Sequence, residues 1–428
     1  MPIRMGQAMS LHVVVIGAGI VGAATAIELL RDGHRVTILE PDAPGGPQAA
    51  SFGNGAWLSP ASVVPMSMPG LWKKVPGYLF DPLGPLTIRW SALPRLAPWL
   101  LRFIAAGATV PKVEATARAL AALLGDAPAR HQALAAEAGL SDLIEQRGLL
   151  YAYPDRAAFE AEALAWRLRR DNGIGWRELD GPALRDFEPT LDPRYGFGVL
   201  VEAGAHCVDP GAYVAGLVRH AERLGAVRVV ALATGFDMSH GRLKAVRSGQ
   251  GDIACDRAVI AAGIHSKPLA ALAGDRVSLA SERGYHVVVS DPEVSPRTPV
   301  MPSDGKMANT PTIGGLRASG QVELAGIHAA PNWKRADVLL KHLLTTYPAL
   351  PRVVPEARLS RWMGHRPSTP DGLPVIGPAS GCTDVLHAFG HGHVGLASGP
   401  ITGRLVADLI GGAAPSRPLI PYRPDRFR

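Results

Sequence analysis

Cysteine is scarce in this chain of 428 residues. The three cysteines, Cys207, Cys255 and Cys382, lie far apart and form no CxxC pair. This spacing predicts neither a disulfide framework nor a zinc or iron–sulfur site, so no metal is expected. Because unpaired cysteines are typical of a reducing compartment, the sequence favours a cytoplasmic location.

Long apolar runs are also missing. No uninterrupted apolar stretch reaches the length of about 18 residues that a membrane-spanning helix needs. The apolar run 12–24 has glycines at turn positions, and no small-residue cleavage site follows it. We therefore interpret this run as mature structure rather than as a signal peptide.

Nucleic-acid-binding motifs are absent as well. The formal net charge is +7, but the arginines are scattered rather than gathered in one basic run. Charge alone does not identify a partner, and no nucleic-acid partner is predicted. The remaining composition, 47% hydrophobic and 19% charged, is typical of a globular protein long enough for two packed domains.

A dinucleotide-binding unit is predicted near the amino terminus. Residues 11–16 have the pattern of a buried strand, residues 21–31 that of a helix and residues 35–40 that of a second strand. The turn between the first strand and the helix has the GxGxxG spacing, and an acidic residue ends the second strand. The residues predicted to contact the dinucleotide here are Gly17, Gly19, Ile20, Val21, Gly22 and Glu40.

Each of these positions has a physical role. Gly17 allows the tight turn, Gly19 lets the pyrophosphate approach the backbone, and Gly22 lets the helix pack on the strand. The amino terminus of the helix offers unpaired N–H groups and a positive dipole end to the phosphates. Glu40 can accept hydrogen bonds from ribose hydroxyls and would repel a 2′-phosphate, which disfavours NADP.

Four further segments follow in a recognisable order: AASFGNG at 49–55, VIAAG at 259–263, RPSTPDGLPVIG at 366–377 and GHGHVG at 390–395. In that order they resemble the D-amino acid oxidase and dehydrogenase superfamily, which includes glycine and sarcosine oxidases. The sequence most resembles the bacterial D-amino acid dehydrogenases, because three further segments match that group: the SP pair at 59–60, the GY pair at 284–285 and the GGLR segment at 314–317.

The resemblance implies FAD as the cofactor and an α/β fold, in which a Rossmann-like FAD-binding domain is interleaved with a β-sheet substrate domain. The flavin domain is expected at 1–65, 206–280 and 356–428, and the substrate domain at 66–205 and 281–355. The FAD is expected to be noncovalent, because Cys382 does not stand at the position that carries covalent flavin in sarcosine oxidases. Further cofactor contacts are expected from Ser51, Gly53, Asn54, Gly55, Ala261, Ala262, Gly263, Gly392, His393, Val394 and Gly395.

The glycine-rich tail motif also has a physical interpretation. Its glycines let the backbone approach a flat ring, and a helix begins directly after it. Reduced flavin carries negative charge near N1 and O2, which the positive end of a helix would stabilise. The alternative is a glycine-rich connection without chemical consequence.

Three side chains are candidates for the catalytic site. Arg366 is expected to bind the substrate carboxylate, since a guanidinium matches a carboxylate with two parallel hydrogen bonds. The alternative is an ion pair with Asp371 or Glu356. Tyr285 is expected to share the carboxylate or else to pack in the core, and His391 is expected at the flavin edge or else as a structural hydrogen-bonding group.

The resemblance implies oxidative deamination of a D-amino acid to a 2-oxo acid and ammonia. Hydride would pass from the substrate Cα to flavin N5, and a quinone or dye would receive the electrons. One alternative is oxidation of a secondary amine of the D-proline, hydroxy-D-proline, sarcosine or opine type. Another is a flavin-bearing subunit that needs a partner for activity.

Residues 71–107 combine aromatic and aliphatic side chains with lysines and arginines. This mixture is typical of a peripheral contact with a membrane surface, which would place the protein at the inner face of the cell membrane. The alternative is that these side chains cover the active site or pack in the substrate domain.

Overall fold

The structure is a computed structural model that describes residues 10–73, 77, 81, 84 and 86–427. The helices of this part of the chain are α1 (Ile20–Arg31), α2 (Leu93–Ala106), α3 (Val110–Leu124), α4 (Ala127–Ala138), α5 (Arg156–Glu160), α6 (Ala163–Asp171), α7 (Gly181–Phe187), α8 (Pro210–Arg223), α9 (Ser266–Leu272), α10 (Lys334–Thr346) and α11 (Gly395–Gly411).

The strands of the same residues are β1 (His12–Ile16), β2 (Arg35–Leu39), β3 (Trp57–Leu58), β4 (Leu86–Ile88), β5 (Ile144–Glu145), β6 (Leu149–Tyr153), β7 (Arg177–Asp180), β8 (Phe197–Val201), β9 (Ala205–Cys207), β10 (Val227–Val229), β11 (Ala233–Ser239), β12 (Arg242–Ser248), β13 (Ile253–Ala254), β14 (Arg257–Ile260), β15 (Ala280–Val289), β16 (Val300–Pro302), β17 (Ala308–Thr312), β18 (Gly315–Leu324), β19 (Leu359–Ser368), β20 (Val375–Pro378) and β21 (Val385–Phe389).

A mostly parallel sheet organises the first domain. Its strand order is β10-β2-β1-β14-β21-β20, and β1 pairs in parallel with β2 and β14. Val13 and Val15 of β1 face a core shared with α1, α8 and α11, whereas Val14 and Ile16 face a second core with the small sheet of β11, β12 and β13. Because both faces are covered, β1 is apolar at consecutive positions, as parallel strands usually are.

A larger, mixed sheet organises the second domain. Its order is β19-β15-β18-β17-β16-β6-β8-β7, with β4 added beside β18. One face of the central strands packs on α10, where Tyr285 and Val287 meet Leu339 and Leu343. The opposite face turns toward the first sheet, so side chains of β15, β18 and β19 can line a site between the two sheets.

This architecture confirms the predicted fold class. Strands of the first sheet come from residues 12–39, 227–260 and 375–389, and strands of the larger sheet lie between them in sequence. The domains are therefore interleaved. The strand β19 belongs to the larger sheet, although the predicted flavin segment begins at residue 356; the exact domain limits stay a prediction.

Several elements differ from the patterns in the sequence. Residues 111–138 are rich in alanine and leucine at helical spacing, which predicts one helix; the structure has two, α3 and α4, separated at Gly125 and Asp126. The strand β19 was not predicted at all, because its sequence LSRWMGHRPS mixes charged, aromatic and glycine residues. Its ten residues pair with β15 along their whole length, so the neighbouring strand rather than local propensity establishes it.

The segment 71–107 contains the helix α2, which the proline-rich sequence did not predict. Leu96 and Trp99 are buried, and they pack on Ala280 and Leu324 of the larger sheet. Trp90 and Leu101 are exposed. Within the described residues no helix is long and apolar enough to cross a membrane. Some residues of the membrane contact predicted for 71–107 lie outside the described residues, namely Lys74, Tyr78, Leu79, Phe80 and Leu83.

Candidate active site

A cavity of about 1380 Å³ lies between the two sheets. This volume exceeds the roughly 300–1,000 Å³ of a typical small-ligand site, which leaves room for a large cofactor together with a substrate. Almost every residue predicted to contact the dinucleotide or flavin lines it. They are Gly17, Gly19, Ile20, Val21, Glu40, Ser51, Gly53, Asn54, Gly55, Ala261, Ala262, Gly263, Gly392, His393, Val394 and Gly395.

The glycine turn leaves no space for side chains. Gly17 has a φ of +107°, and a Cβ atom there would lie 2.5 Å from the carbonyl oxygen of Ala261. A Cβ atom on Gly22 would lie 1.9 Å from the carbonyl oxygen of Gly17. Gly22 is therefore behind the cavity wall rather than in it, where it lets α1 pack closely on the turn.

The amino terminus of α1 opens on the cavity. Its cap residue, Gly19, provides no side chain, and the Oγ atom of Ser51 accepts the N–H of Ile20 at 3.2 Å. Glu40 accepts the N–H of Ala18 at 2.8 Å, which fixes the carboxylate beside the turn. Burial raises the pKa of Glu40, and backbone hydrogen bonds oppose that rise. The backbone amides at the start of α1, which suit a phosphate, therefore lie beside the Glu40 carboxylate, which suits a ribose hydroxyl.

The amino terminus of α11 opens on the same cavity. No side chain caps this helix, and its first residues, from Gly395 to Ala397, line the cavity. The adjacent ring of His391 shares a hydrogen bond of 3.0 Å with the Oγ1 atom of Thr402. Burial lowers the pKa of His391 to about 3, so the ring is neutral and the positive potential here comes from the helix.

Two glycines that the sequence analysis did not single out bring these helices together. A Cβ atom on Gly399 of α11 would lie 2.7 Å from the Cγ1 atom of Ile20, and one on Gly403 would lie 2.7 Å from the backbone of Ala24. The GxxxG spacing within a predicted helix is the signal that identifies such a crossing. Close packing of α1 and α11 directs both positive helix ends into one cavity.

The ring of Trp362 forms part of the cavity wall. The ring of Trp362 stacks on His286 with centroids 5.2 Å apart, and it covers Gly53 so closely that a Cβ atom there would lie 2.0 Å from it. Burial, followed by the charge of Arg317, lowers the pKa of His286 to about 3. Trp362 therefore presents an aromatic surface to the cavity, and His286 packs against its ring outside the lining.

Arg366 reaches the cavity from β19. Its guanidinium crosses Gly284, where a Cβ atom would lie 2.4 Å from Cζ, and donates to the carbonyl oxygens of Gln321 at 2.8 Å and Gly320 at 3.2 Å. Burial lowers the pKa of Arg366 and the carboxylate of Glu282 opposes this shift. An arginine remains a cation under such a shift.

The ion pairs considered as alternatives for Arg366 are made by other residues. Asp371 accepts from Arg426 at 2.8 Å, and Glu356 is bound by Arg361. Since neither carboxylate is bound to Arg366, its charge is available to a ligand in the cavity.

Tyr285 does not line the cavity. Strand alternation directs its side chain to the opposite face of β15, where its hydroxyl donates to Glu323 and accepts the N–H of Asn332 at 2.9 Å. Glu323 is also paired with Arg283 at 3.2 Å. The structure therefore brings Arg366 and His391 together with the cavity and places Tyr285 in a buried network behind it.

The chain belongs to a family of FAD-dependent oxidoreductases. The family model described as "FAD dependent oxidoreductase" matches residues 12–409. A D-amino-acid oxidase from Bradyrhizobium diazoefficiens is 55% identical over 416 residues, which are 97% of this chain and 99% of that protein. D-amino acid dehydrogenase 2 from Ralstonia nicotianae is 31% identical over 427 residues, which cover 96% of this chain and 99% of that protein.

Solved structures show the same fold. Glycine oxidase from Geobacillus kaustophilus matches with a TM-score of 0.71 and 21% identity over 97% of this chain and 98% of that one. L-proline dehydrogenase from P. horikoshii matches with a TM-score of 0.73 and 19% identity over 98% of each chain. FAD is thus the cofactor, and the two helix ends, the glycine cradle and Glu40 are the features of this chain that fit it.

The FAD should dissociate intact when the protein is denatured. Within the described residues Cys207, Cys255 and Cys382 are all buried, and none lines the cavity. Precipitation with acid should leave the flavin absorbance in the supernatant and a colourless pellet. Flavin that stays with the polypeptide would contradict noncovalent binding.

Proposed function

We propose that this protein is a D-amino-acid oxidase that uses dioxygen as the electron acceptor. The observation that supports this is Arg366, which lies in the same cavity as the two helix ends. No carboxylate of the described residues forms an ion pair with it, so it is suited to the carboxylate of an amino acid. The 55% identical relative from Bradyrhizobium diazoefficiens is a D-amino-acid oxidase, which supports the D configuration and the acceptor.

Bound FAD supplies the chemistry of accepting a hydride from the substrate Cα and passing the electrons on. The protein orients the substrate for this transfer. Arg366 binds the carboxylate and fixes the Cα position, and neutral His391 stands at the start of α11 without adding a charge that would compete for the carboxylate. Catalysis is then largely positioning, and hydrolysis of the resulting imine gives a 2-oxo acid and ammonia.

A dehydrogenase that reduces a quinone is the second candidate. The observation in its favour is the exposed surface around α2, where Trp90, Leu101 and Ile104 lie 70%, 69% and 42% exposed. Arg95 and Arg102 add positive charge to the same helix. Such a surface suits a peripheral contact with anionic lipid, where a quinone would be available. A secondary amine as the substrate stays a third possibility on the same fold.

Acceptor and substrate class can be tested together. The purified protein should oxidise several D-amino acids, leave their L-enantiomers unchanged and release hydrogen peroxide in proportion to the 2-oxo acid formed. It should remain in the supernatant when anionic vesicles are sedimented at low salt. Fast turnover with a dye, slow turnover with oxygen and sedimentation with the vesicles would replace this proposal with the dehydrogenase. Turnover of sarcosine or proline alone would establish a secondary-amine oxidoreductase.

A further inference from the structure

Glu282 is a charged residue of the cavity that lies beside Arg366. The two residues are directly opposite each other in the register of β15 and β19, and both line the cavity. They are not paired with each other, because the guanidinium crosses Gly284 to the carbonyl oxygens of Gly320 and Gln321. At this place on the sheet the cavity therefore presents a cation and an anion side by side.

One oxygen of the Glu282 carboxylate accepts a hydrogen bond, and the described part of the chain supplies no donor to the other. The side chain is only 7% exposed, and its Oε2 atom accepts a hydrogen bond of 2.5 Å from the Oγ atom of Ser368. Among the described residues no donor reaches Oε1. Oε1 is not among the fully buried polar atoms without a partner, and Glu282 lines the cavity, so this oxygen is open to a ligand that supplies a donor.

We propose that Glu282 receives the α-ammonium group of the substrate, so that Glu282 and Arg366 bind the two charges of an amino acid zwitterion. This inference rests on the proposed function and extends it. A carboxylate next to a guanidinium at a spacing set by neighbouring strands is complementary to an ammonium next to a carboxylate.

The same contact provides a path for a proton. An amino acid enters as an ammonium ion, whose nitrogen has no lone pair to assist the departure of hydride from Cα. When an N–H bond of the ammonium breaks and an O–H bond forms at Oε1 of Glu282, the products are a neutral amine and a neutral carboxylic acid. No oxidant takes part in this step. Burial raises the pKa of Glu282, which makes the carboxylate a better proton acceptor.

The surroundings of Glu282 make it the acceptor for such a proton. The charged group that faces it is Arg366, and on its other side β18 places Leu324 in register. From α2 the neighbouring side chain is Trp99, whose Nε1 atom donates to the Ser368 carbonyl at 3.1 Å. The cavity-lining His365 on β19 shares a hydrogen bond with Ser281, and burial lowers its pKa to about 4, so it is neutral.

The test uses the FAD-loaded Glu282→Gln variant and its pH profile. With a D-amino acid, the wild-type kcat/KM should rise with pH through the raised pKa of Glu282, since only the carboxylate accepts a proton. The Glu282→Gln variant should lose this rise, the acid limb of the pH profile, and its kcat/KM at neutral pH should fall by about tenfold or more. Its rate should then follow deprotonation of the amine in solution. Glu282→Asp should restore an acid limb, and Glu178→Gln, a remote exposed change, should match the wild type.

A carboxylate without an amine separates this role from a structural one. Binding of benzoate, measured by the change in flavin absorbance, should be unchanged or tighter in Glu282→Gln, because a negative charge beside the anion site is removed. Equal weakening of benzoate and amino acid would make Glu282 a structural residue. An unchanged KM and acid limb would overturn the inference alone, whereas a wild-type protein that oxidises no D-amino acid would overturn the proposed function.

Discussion

Replacing Arg366 with alanine is expected to lower kcat/KM for a D-amino acid by roughly 30- to 1,000-fold, equivalent to about 2–4 kcal/mol. The guanidinium lines the cavity, where it would bind the substrate carboxylate, and among the described residues no carboxylate is paired with it. Its loss should affect substrate binding far more than FAD binding, because the dinucleotide contacts lie at the ends of α1 and α11. Steady-state kinetics and the flavin absorbance of the purified variant measure the two effects separately.

Two further variants control this experiment. Arg361→Ala removes an arginine from the same strand, but one that is paired with Glu356 rather than directed into the cavity, so its kinetics should resemble those of the wild type. Arg366→Lys retains the charge without the bidentate geometry and should be intermediate. Kinetics of Arg366→Ala that equal the wild type would show that the arginine only holds the carbonyl groups of β18.

Replacing Gly22 with alanine is expected to destabilise the protein and to abolish FAD binding. The new Cβ atom would lie 1.9 Å from the carbonyl oxygen of Gly17, a backbone atom that cannot move without displacing the phosphate-binding turn. Overpacking of this kind costs about 1–3 kcal/mol or more. The ratio of flavin to protein absorbance and the melting temperature should both fall.

A matched control is available at Gly175. This glycine has nothing within 4 Å of a Cβ position, so Gly175→Ala adds the same methyl group without a clash. It should retain the flavin and melt close to the wild type. A Gly22→Ala protein that binds FAD normally would show that α1 can shift away from the turn. FAD binding would then not require the close packing of Gly22 on Gly17.

The parts of the fold that could be predicted are those that short-range patterns determine. The β1–α1–β2 unit depends on an apolar strand, a glycine turn and a largely buried apolar helix within about thirty residues, and each leaves a local pattern in the sequence. The structure reproduces it to within one residue at each end. By contrast, β19, which carries Arg366, forms because it pairs with β15. The two strands are far apart in the sequence, so the local periodicity of β19 does not reveal this pairing.

The same distinction explains which site residues were identified. Arg366 was identified through the resemblance of its motif, whereas Glu282 was missed although it stands two residues before Gly284. The signal was present: alternation places Glu282 and His286 on one face of β15 and Tyr285 on the other. Which face meets the cavity is decided by the packing of α10, more than forty residues later in the chain, and no local pattern contains that information.

The crossing of α1 and α11 has a consequence for how the protein folds. Gly399 and Gly403 pack directly on Ile20 and Ala24, although 379 residues of sequence separate the members of each pair (399 − 20 and 403 − 24). Contacts of such large sequence separation are slow to form, because the entropy of closing the loop opposes them until they are made. A folding intermediate that holds the β1–α1–β2 unit without α11 therefore lacks one of the two positive helix ends, and we expect it to bind FAD weakly.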